Sequence, residues 1–199
     1  KKGDVYNLDL LDTRLGKVLS PDGGDDISSL YMNDGYLFFN VDPVEMSIVG
    51  DTINYEMRIT EGPQATIKNV EIVGNFRTNE HVIRRELRTL PGNKFSRADL
   101  IRSQREIANL GFFDQEKIGI QPKPNQEDGT VDIEYTVVEK SSDQLQLSAG
   151  FGGGISFYGN VGVTFNNFSL RNVFKPQFWD PLPVGDGQRF SVNYQSNGR

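Results

Sequence analysis

The residues able to do covalent or metal chemistry are few, and their spacing does not suit it. His81 is the only histidine, and it has no partner at metal-ligand spacing, which fits an ordinary surface role. No cysteine occurs, which excludes disulfides, thiolate catalysis and Cys-based zinc sites. The glycines between Gly150 and Gly154 lack the lysine and the strand-to-helix context of a phosphate loop. Carboxylates are plentiful, yet none stands in an apolar setting beside a base. Catalytic, cofactor-binding and metal-ligating residues are therefore expected to be none, and the chain is not expected to be an enzyme. What remains is the chemistry of contact. Arg84, Arg85, Glu86 and Arg88 line the polar side of a predicted helix, a pattern that serves either a solvated face or a partner of complementary charge.

Composition narrows the partner. The 199 residues carry a formal charge of −6, and the acidity sits in the first 60, with eleven Asp and Glu against five Lys and Arg. Such a balance lacks the basic footprint that phosphate neutralisation needs, so nucleic acid is not an expected partner. Nothing in the pattern marks a small-molecule substrate either. No apolar run approaches the roughly 18 residues of a membrane helix, and no signal peptide opens the chain, so membrane contact has to come from strands.

An internal repeat supplies the frame for these residues. TINYEMRITE at Thr52 to Glu61 returns as TVDIEYTVVE at Thr130 to Glu139, 78 positions later, the length of a small module. In the second copy, ATIKNVEIVGN alternates as a strand that ends at Gly74-Asn75. A helix is predicted from Thr78 as N-cap through Val82, Ile83, Leu87 and Leu90, stopped by Pro91-Gly92. A second helix follows from Ser96, with Asp99 completing a capping box, to Gly111. Strands are predicted over Lys117 to Gln121 and Thr130 to Val138, which gives the order β-α-α-β-β. The first copy repeats helices over Leu8 to Leu19 and Asp26 to Asn33, then strands over Val41 to Val49 and Thr52 to Thr60 around a Gly50-Asp51 turn. Its first strand would fall before Lys1, so the chain is expected to be a piece of a longer protein, which also accounts for the missing signal peptide.

The last third follows other rules. From Gln144 to Leu170 there is no charged residue. Leu145, Leu147, Ala149 and Phe151 alternate with small polar residues, as do Ile155, Phe157, Val161, Val163 and Phe165, and Phe190, Val192 and Tyr194 begin a third such strand. Gly152 to Gly154 are predicted to turn between the first two. Apolar residues outward and small polar residues inward is the pattern of a membrane barrel, and the absence of charge favours it over a soluble β-sandwich, which also alternates. Phe165, Phe168, Phe174, Phe178 and Trp179 gather where the second strand ends, as an interfacial girdle would. Three strands cannot close a barrel of about eight or more. This tail is therefore expected either to be disordered or to pair with another chain.

These residues carry a resemblance. VEIVGNFRTNEHVIRRELRTLPGNKFSRADLIRSQREIANLGFFD, then VDIEYTVVEK, then a Gly-rich strand, resembles the last POTRA domain of BamA-type outer-membrane assembly factors running into their barrel. The pieces that carry it are the Gly74-Asn75 turn, Val82 to Leu87, Gly92 with Phe95, Leu110 to Phe113 and Val137 to Glu139. The resemblance implies an α+β fold: two tandem β-α-α-β-β POTRA modules over residues 1–61 and 62–140, each a three-stranded mixed sheet with two helices. The first antiparallel strands of a truncated transmembrane β-barrel follow over 141–199. It implies the bacterial outer membrane, with residues 1–140 in the periplasm, and a β-barrel insertase. Its partners would be unfolded outer-membrane proteins, accessory assembly lipoproteins and outer-membrane lipid around the barrel.

Three residue sets follow from that implication. Arg84, Arg85, Glu86 and Arg88 would meet an accessory lipoprotein. The edge strand Lys117, Ile118, Gly119, Ile120 and Gln121 would accept a client strand through main-chain hydrogen bonds, unless Pro122, Lys123 and Pro124 protect that edge. Leu145, Leu147, Ala149 and Phe151 would form the barrel seam. The alternative is a secretion or translocation pore, TamA-like or of two-partner secretion, whose modules capture one dedicated substrate. Asn166 to Gln188, with WDPLPVGDGQ inside, is longer than a tight turn requires, and the pattern gives it no role.

Overall fold

The computed structural model describes residues 3, 5–16, 26–141, 143–152, 156–179 and 182–197. The chain divides into two compact units. One contains Lys1–Glu71, Leu87–Gln104 and Ile120–Tyr135, and the other Ile72–Glu86, Arg105–Gly119 and Thr136–Arg199.

In the first unit, helix α1 spans Leu8–Leu15 and begins where the Asn7 side chain accepts from the Leu10 N–H at 3.0 Å. The helix predicted to reach Leu19 closes earlier, because Gly16 turns left-handed and its N–H bonds back to Asp12 and Thr13. The remainder of that prediction lies outside the described residues. Helix α2, Ile27–Asn33, is capped by Asp26, which accepts from the Ser29 N–H at 2.7 Å and the Ser29 hydroxyl at 2.6 Å. Strands β1 (Asn40–Val49) and β2 (Thr52–Thr60) form an antiparallel hairpin around Gly50-Asp51, with Val41 opposite Ile59 and Val49 opposite Thr52. An irregularity between Glu45 and Ser47 leaves Met46 unpaired. Leu15, Phe39 and Val41 are buried together, and Tyr31 stacks on Phe39 at 4.1 Å between centroids.

Strand β3 (Thr66–Val73), helices α3 (Glu80–Arg84) and α4 (Arg97–Asn109), and strands β4 (Gly119–Asn125) and β5 (Thr130–Thr136) follow in the predicted β-α-α-β-β order. They make a three-stranded sheet in the order β3-β5-β4. Alternation is strict along β5, where Val131, Ile133 and Tyr135 are buried. The Tyr135 hydroxyl bonds the Thr89 hydroxyl at 2.7 Å, and burial above all pushes its pKa up.

Helix α3 is a single turn rather than a run to Leu90. The Arg85 and Glu86 N–H groups still bond back to His81 and Ile83, but the Arg88 N–H donates to Ser103 Oγ at 2.8 Å and the Thr89 hydroxyl bonds that of Tyr135. Arg85, Glu86 and Arg88 thus lie beyond the helix whose polar side they were predicted to line. Nor is Thr78 the N-cap. Asn79 occupies that position without a side-chain cap bond, and Thr78 is engaged by distant residues. Helix α4 agrees with its expected start, where Ser96 Oγ accepts from the Asp99 N–H at 3.3 Å.

The chain ends in strands β6 (Gln144–Gly152), β7 (Ser156–Phe168) and β8 (Gln188–Asn197), antiparallel in the order β6-β7-β8. Leu145 faces Val163, Leu147 faces Val161, and Val163 and Val161 face Val192 and Tyr194 on the other side. One face therefore collects the aliphatic and aromatic residues, and the other collects Gln146, Asn160, Gly162 and Asn193. The strands pair with one another, and β6 and β8 remain the edges of this sheet. Neighbouring antiparallel strands satisfy each other's ladder groups without a second chain. The predicted turn at Gly152 to Gly154 falls mostly outside the described residues, as does Ile155.

Candidate functional site

Strand β4 lies at one edge of its sheet. It does not coincide with the predicted Lys117 to Gln121. Lys117 closes a 3-10 turn (Gln115–Lys117) that Asp114 caps through the Glu116 N–H, and the Lys117 ammonium sits 3.0 Å from the Asp114 carboxylate. The Lys117 hydrogen bond holds the Asp114 pKa below its ordinary value. Ile118 is buried, and only Gly119, Ile120 and Gln121 of the predicted set belong to the strand.

The strand continues through Pro122 and Pro124. A proline fits an edge strand only with its nitrogen turned from the neighbour, which makes Ile120, Pro122 and Pro124 the outward backbone positions. Of these, Ile120 alone has an N–H. Lys123 pairs with Glu134 of β5, and that hydrogen bond raises its pKa. The opposite edge of the sheet is covered where it begins: the Ile67 N–H donates to Asn93 and the Ile67 carbonyl accepts from Gly92, each at 2.8 Å.

Of the polar set, Arg84 pairs with Glu80 and Arg85 with Glu86. The Arg84, Arg85 and Glu86 side chains are partly or largely solvated, and Arg88 is exposed. Leu145 and Leu147 are each 67% exposed on β6, and Ala149 continues that row opposite Gly159. Phe151 pairs in register with Phe157, and their side chains lie outside the described residues.

A third place is the join between the second module and the strand sheet, wholly within the second unit, which includes the Gly74-Asn75 turn and Val137 to Glu139 that carried the resemblance. Glu139, just past β5, accepts from the Arg77 N–H at 2.9 Å and the Thr78 N–H at 2.7 Å. The Asn167 amide donates to Thr78 Oγ1 at 2.9 Å. Asn79, which opens α3, donates its N–H to Gly185 at 2.9 Å and its amide to Asp186 at 2.8 Å. Asp186 also accepts from the Ser169 hydroxyl at 2.7 Å, and His81 Nε2 lies 3.6 Å from it. Burial would push the Asp186 pKa up, but the Ser169 and Asn79 donors, aided by the charges of Arg171 and His81, bring it below the ordinary carboxylate value.

Gly74 belongs to the same join. At φ 98°, a Cβ there would lie 1.9 Å from the Val137 carbonyl oxygen, so no side chain fits. The long Asn166 to Gln188 connection is thus a docking segment. The one signal that could have found it is its pair of glycines around a carboxylate, Gly185-Asp186-Gly187.

A β-α-α-β-β module leads through a few residues into an antiparallel sheet with one apolar face, which is the plan of a POTRA-type module followed by barrel-like strands. Residues 65–140 match the POTRA family, described as a surface antigen variable number repeat. Among curated relatives, the outer membrane protein assembly factor BamA of Neorickettsia risticii is 31% identical over 134 residues, covering 67% of this chain and 18% of its own. BamA of Neisseria meningitidis serogroup B is 29% identical over 116 residues, 58% of this chain and 14% of its own. BamA from Haemophilus ducreyi lacking POTRA domains 1-3 superposes with a TM-score of 0.74 at 20% identity, over 99% of this chain and 32% of that structure. The chain carries a POTRA domain and is similar along nearly its whole length to BamA-type outer-membrane assembly factors. It spans less than a fifth of the length of the two curated relatives.

Proposed function

We propose that this chain is the membrane-proximal periplasmic part of an outer-membrane β-barrel insertase, together with the strands that begin its barrel. The observation that carries the reading is the direct passage from the POTRA domain, closing at Glu139, into the one-sided apolar sheet β6-β7-β8. Residues 1–140 stand on the periplasmic side, and the Leu145, Leu147, Val161 and Tyr194 face meets lipid. Unfolded outer-membrane proteins are the clients.

Two edges suit strand addition. On β4, Gly119, Ile120 and Gln121 offer a short stretch before the prolines interrupt it. On β6, the row Leu145, Leu147, Ala149 and Phe151 offers a longer one, and its glycines weaken pairing and ease opening. The solvated Arg84, Arg85, Glu86 and Arg88 are the docking set for an accessory lipoprotein, where charge selects the partner more than it adds affinity. Depleting the full-length protein is expected to strip barrel proteins from the outer membrane. An unchanged outer-membrane proteome after depletion would reject the reading.

A further inference from the structure

The Asn167 to Gly187 connection has a second side. Its polar side holds the start of α3 through Asn167, Gly185 and Asp186. Its remaining residues include an apolar and cationic run: Leu170, Phe174 and Phe178 recur every fourth position, with Arg171 and Lys175 following the first two and Trp179 the third, before Asp180. Leu170 is 68% and Phe174 93% exposed, although both sit in a segment pinned by buried hydrogen bonds at Ser169, Asn172 and Asp186. Lys175 lies over the Phe178 ring at 5.8 Å, and the Trp179 indole N–H donates to the Asn172 carbonyl at 3.3 Å.

The segment is continuous with the apolar strand face. Phe168, at the end of β7, stacks on Phe190 of β8 at 5.0 Å. From Gln144 to Trp179 the sequence contains no Asp or Glu, and its only charges are Arg171 and Lys175.

Exposed aromatics beside cations at the end of membrane strands match the chemistry of a bilayer interface: rings lie at headgroup depth and ammonium or guanidinium groups meet phosphate. We propose that this connection is a membrane-interface anchor. Leu170, Phe174, Phe178 and Trp179 enter the headgroup region of the periplasmic leaflet, and Arg171 and Lys175 bind anionic phospholipid phosphate. The opposite side of the same connection holds the POTRA domain. The proposal rests on the membrane reading of β6 to β8.

Its test separates the two ideas. In the full-length protein, nitroxide labels are placed singly at Phe174→Cys, Leu147→Cys and Glu127→Cys. The protein is reconstituted in phosphatidylethanolamine bilayers with and without phosphatidylglycerol. Depth is read from the ratio of collisions with oxygen and with a water-soluble nickel chelate.

The anchor predicts headgroup depth at position 174, hydrocarbon depth at 147 and water at 127. It also predicts that Arg171→Gln with Lys175→Gln lowers the docked-to-undocked ratio at 174 in the anionic bilayer, by about fivefold per cation. Water exposure at 174 with lipid exposure at 147 overturns the anchor and leaves the barrel reading standing. An immobilised label at 174 shielded from both quenchers means that a protein covers the segment, and it overturns the anchor as well. Water exposure at both 174 and 147 rejects the barrel reading and the anchor together.

Discussion

The chain contains two joins of the same rank, built from different chemistry. Where the first module meets the second, the bonds are mostly backbone and neutral amide: the Ala65 N–H donates to Gly35 at 2.8 Å, Gln64 donates to the Asp34 carbonyl at 3.0 Å, and Asn33 accepts the Ala98 N–H at 2.8 Å, while the Arg97 guanidinium donates to the Ser29 hydroxyl at 3.2 Å. The Lys94 ion pair with Asp34, at 3.7 Å, is exposed and worth little. Where the second module meets the strand sheet, two carboxylates organise the contact. Glu139 gathers two main-chain donors, and the buried Asp186 gathers two side-chain donors. A carboxylate that satisfies several donors forms stronger bonds than a neutral group, and it is more damaging to remove. The first join is therefore expected to respond weakly to substitution and pH, and the second strongly.

The most severe way to probe the contrast is Gly74→Ala, which sets a methyl against the Val137 carbonyl oxygen at a left-handed backbone position. A loss of at least about 3 kcal/mol in denaturant unfolding is expected. Glu139→Ala comes next. It strands the Arg77 and Thr78 N–H groups and should cost about 2–4 kcal/mol, read as lost hydrogen-exchange protection at those two amides. The matching change at the first join, Asn33→Ala, should cost about 1 kcal/mol and lower protection only near Ala98. Equal losses at Asn33 and Glu139 would erase the distinction.

Acid sharpens it. Asp186 is more acidic folded than unfolded, so the stability it contributes is full above its unfolded pKa of about 4 and is lost as pH falls through its folded value. Protection of the Asn79 amide should fall in that range while that of Ala98 holds. Smallest of all, Arg84→Ala removes an exposed pair with Glu80 and should change stability by less than about 0.5 kcal/mol. A clear loss of co-purifying lipoprotein in that variant would support its role in docking.

The strands and helix α4 were legible because their signals are local. Alternation marks Thr130 to Thr136, and Ser96 with Asp99 marks a helix start. Helix α3 was misjudged for the opposite reason. Val82, Ile83, Leu87 and Leu90 keep helical spacing, but the Arg88 N–H is claimed by Ser103 and the side chain of Thr89 by Tyr135, which sequence spacing does not reveal. The start of β4 was misplaced because Asp114 caps a tight turn over residues that alternate like a strand. Val137 to Glu139 and the Gly74-Asn75 turn stood out in the sequence, but their bonds did not, since Glu139 reaches back 61 positions to Thr78 and Asp186 reaches back 107 to Asn79.

That last separation sets an order of events. A chain delivered N-terminus first exposes Asn79 long before Asp186 arrives, so the opening turn of α3 waits, with its donors met by water, until the segment between β7 and β8 has emerged. The start of α3 therefore gains the Asn79 bonds to Gly185 and Asp186 only after β6 and β7 have been made.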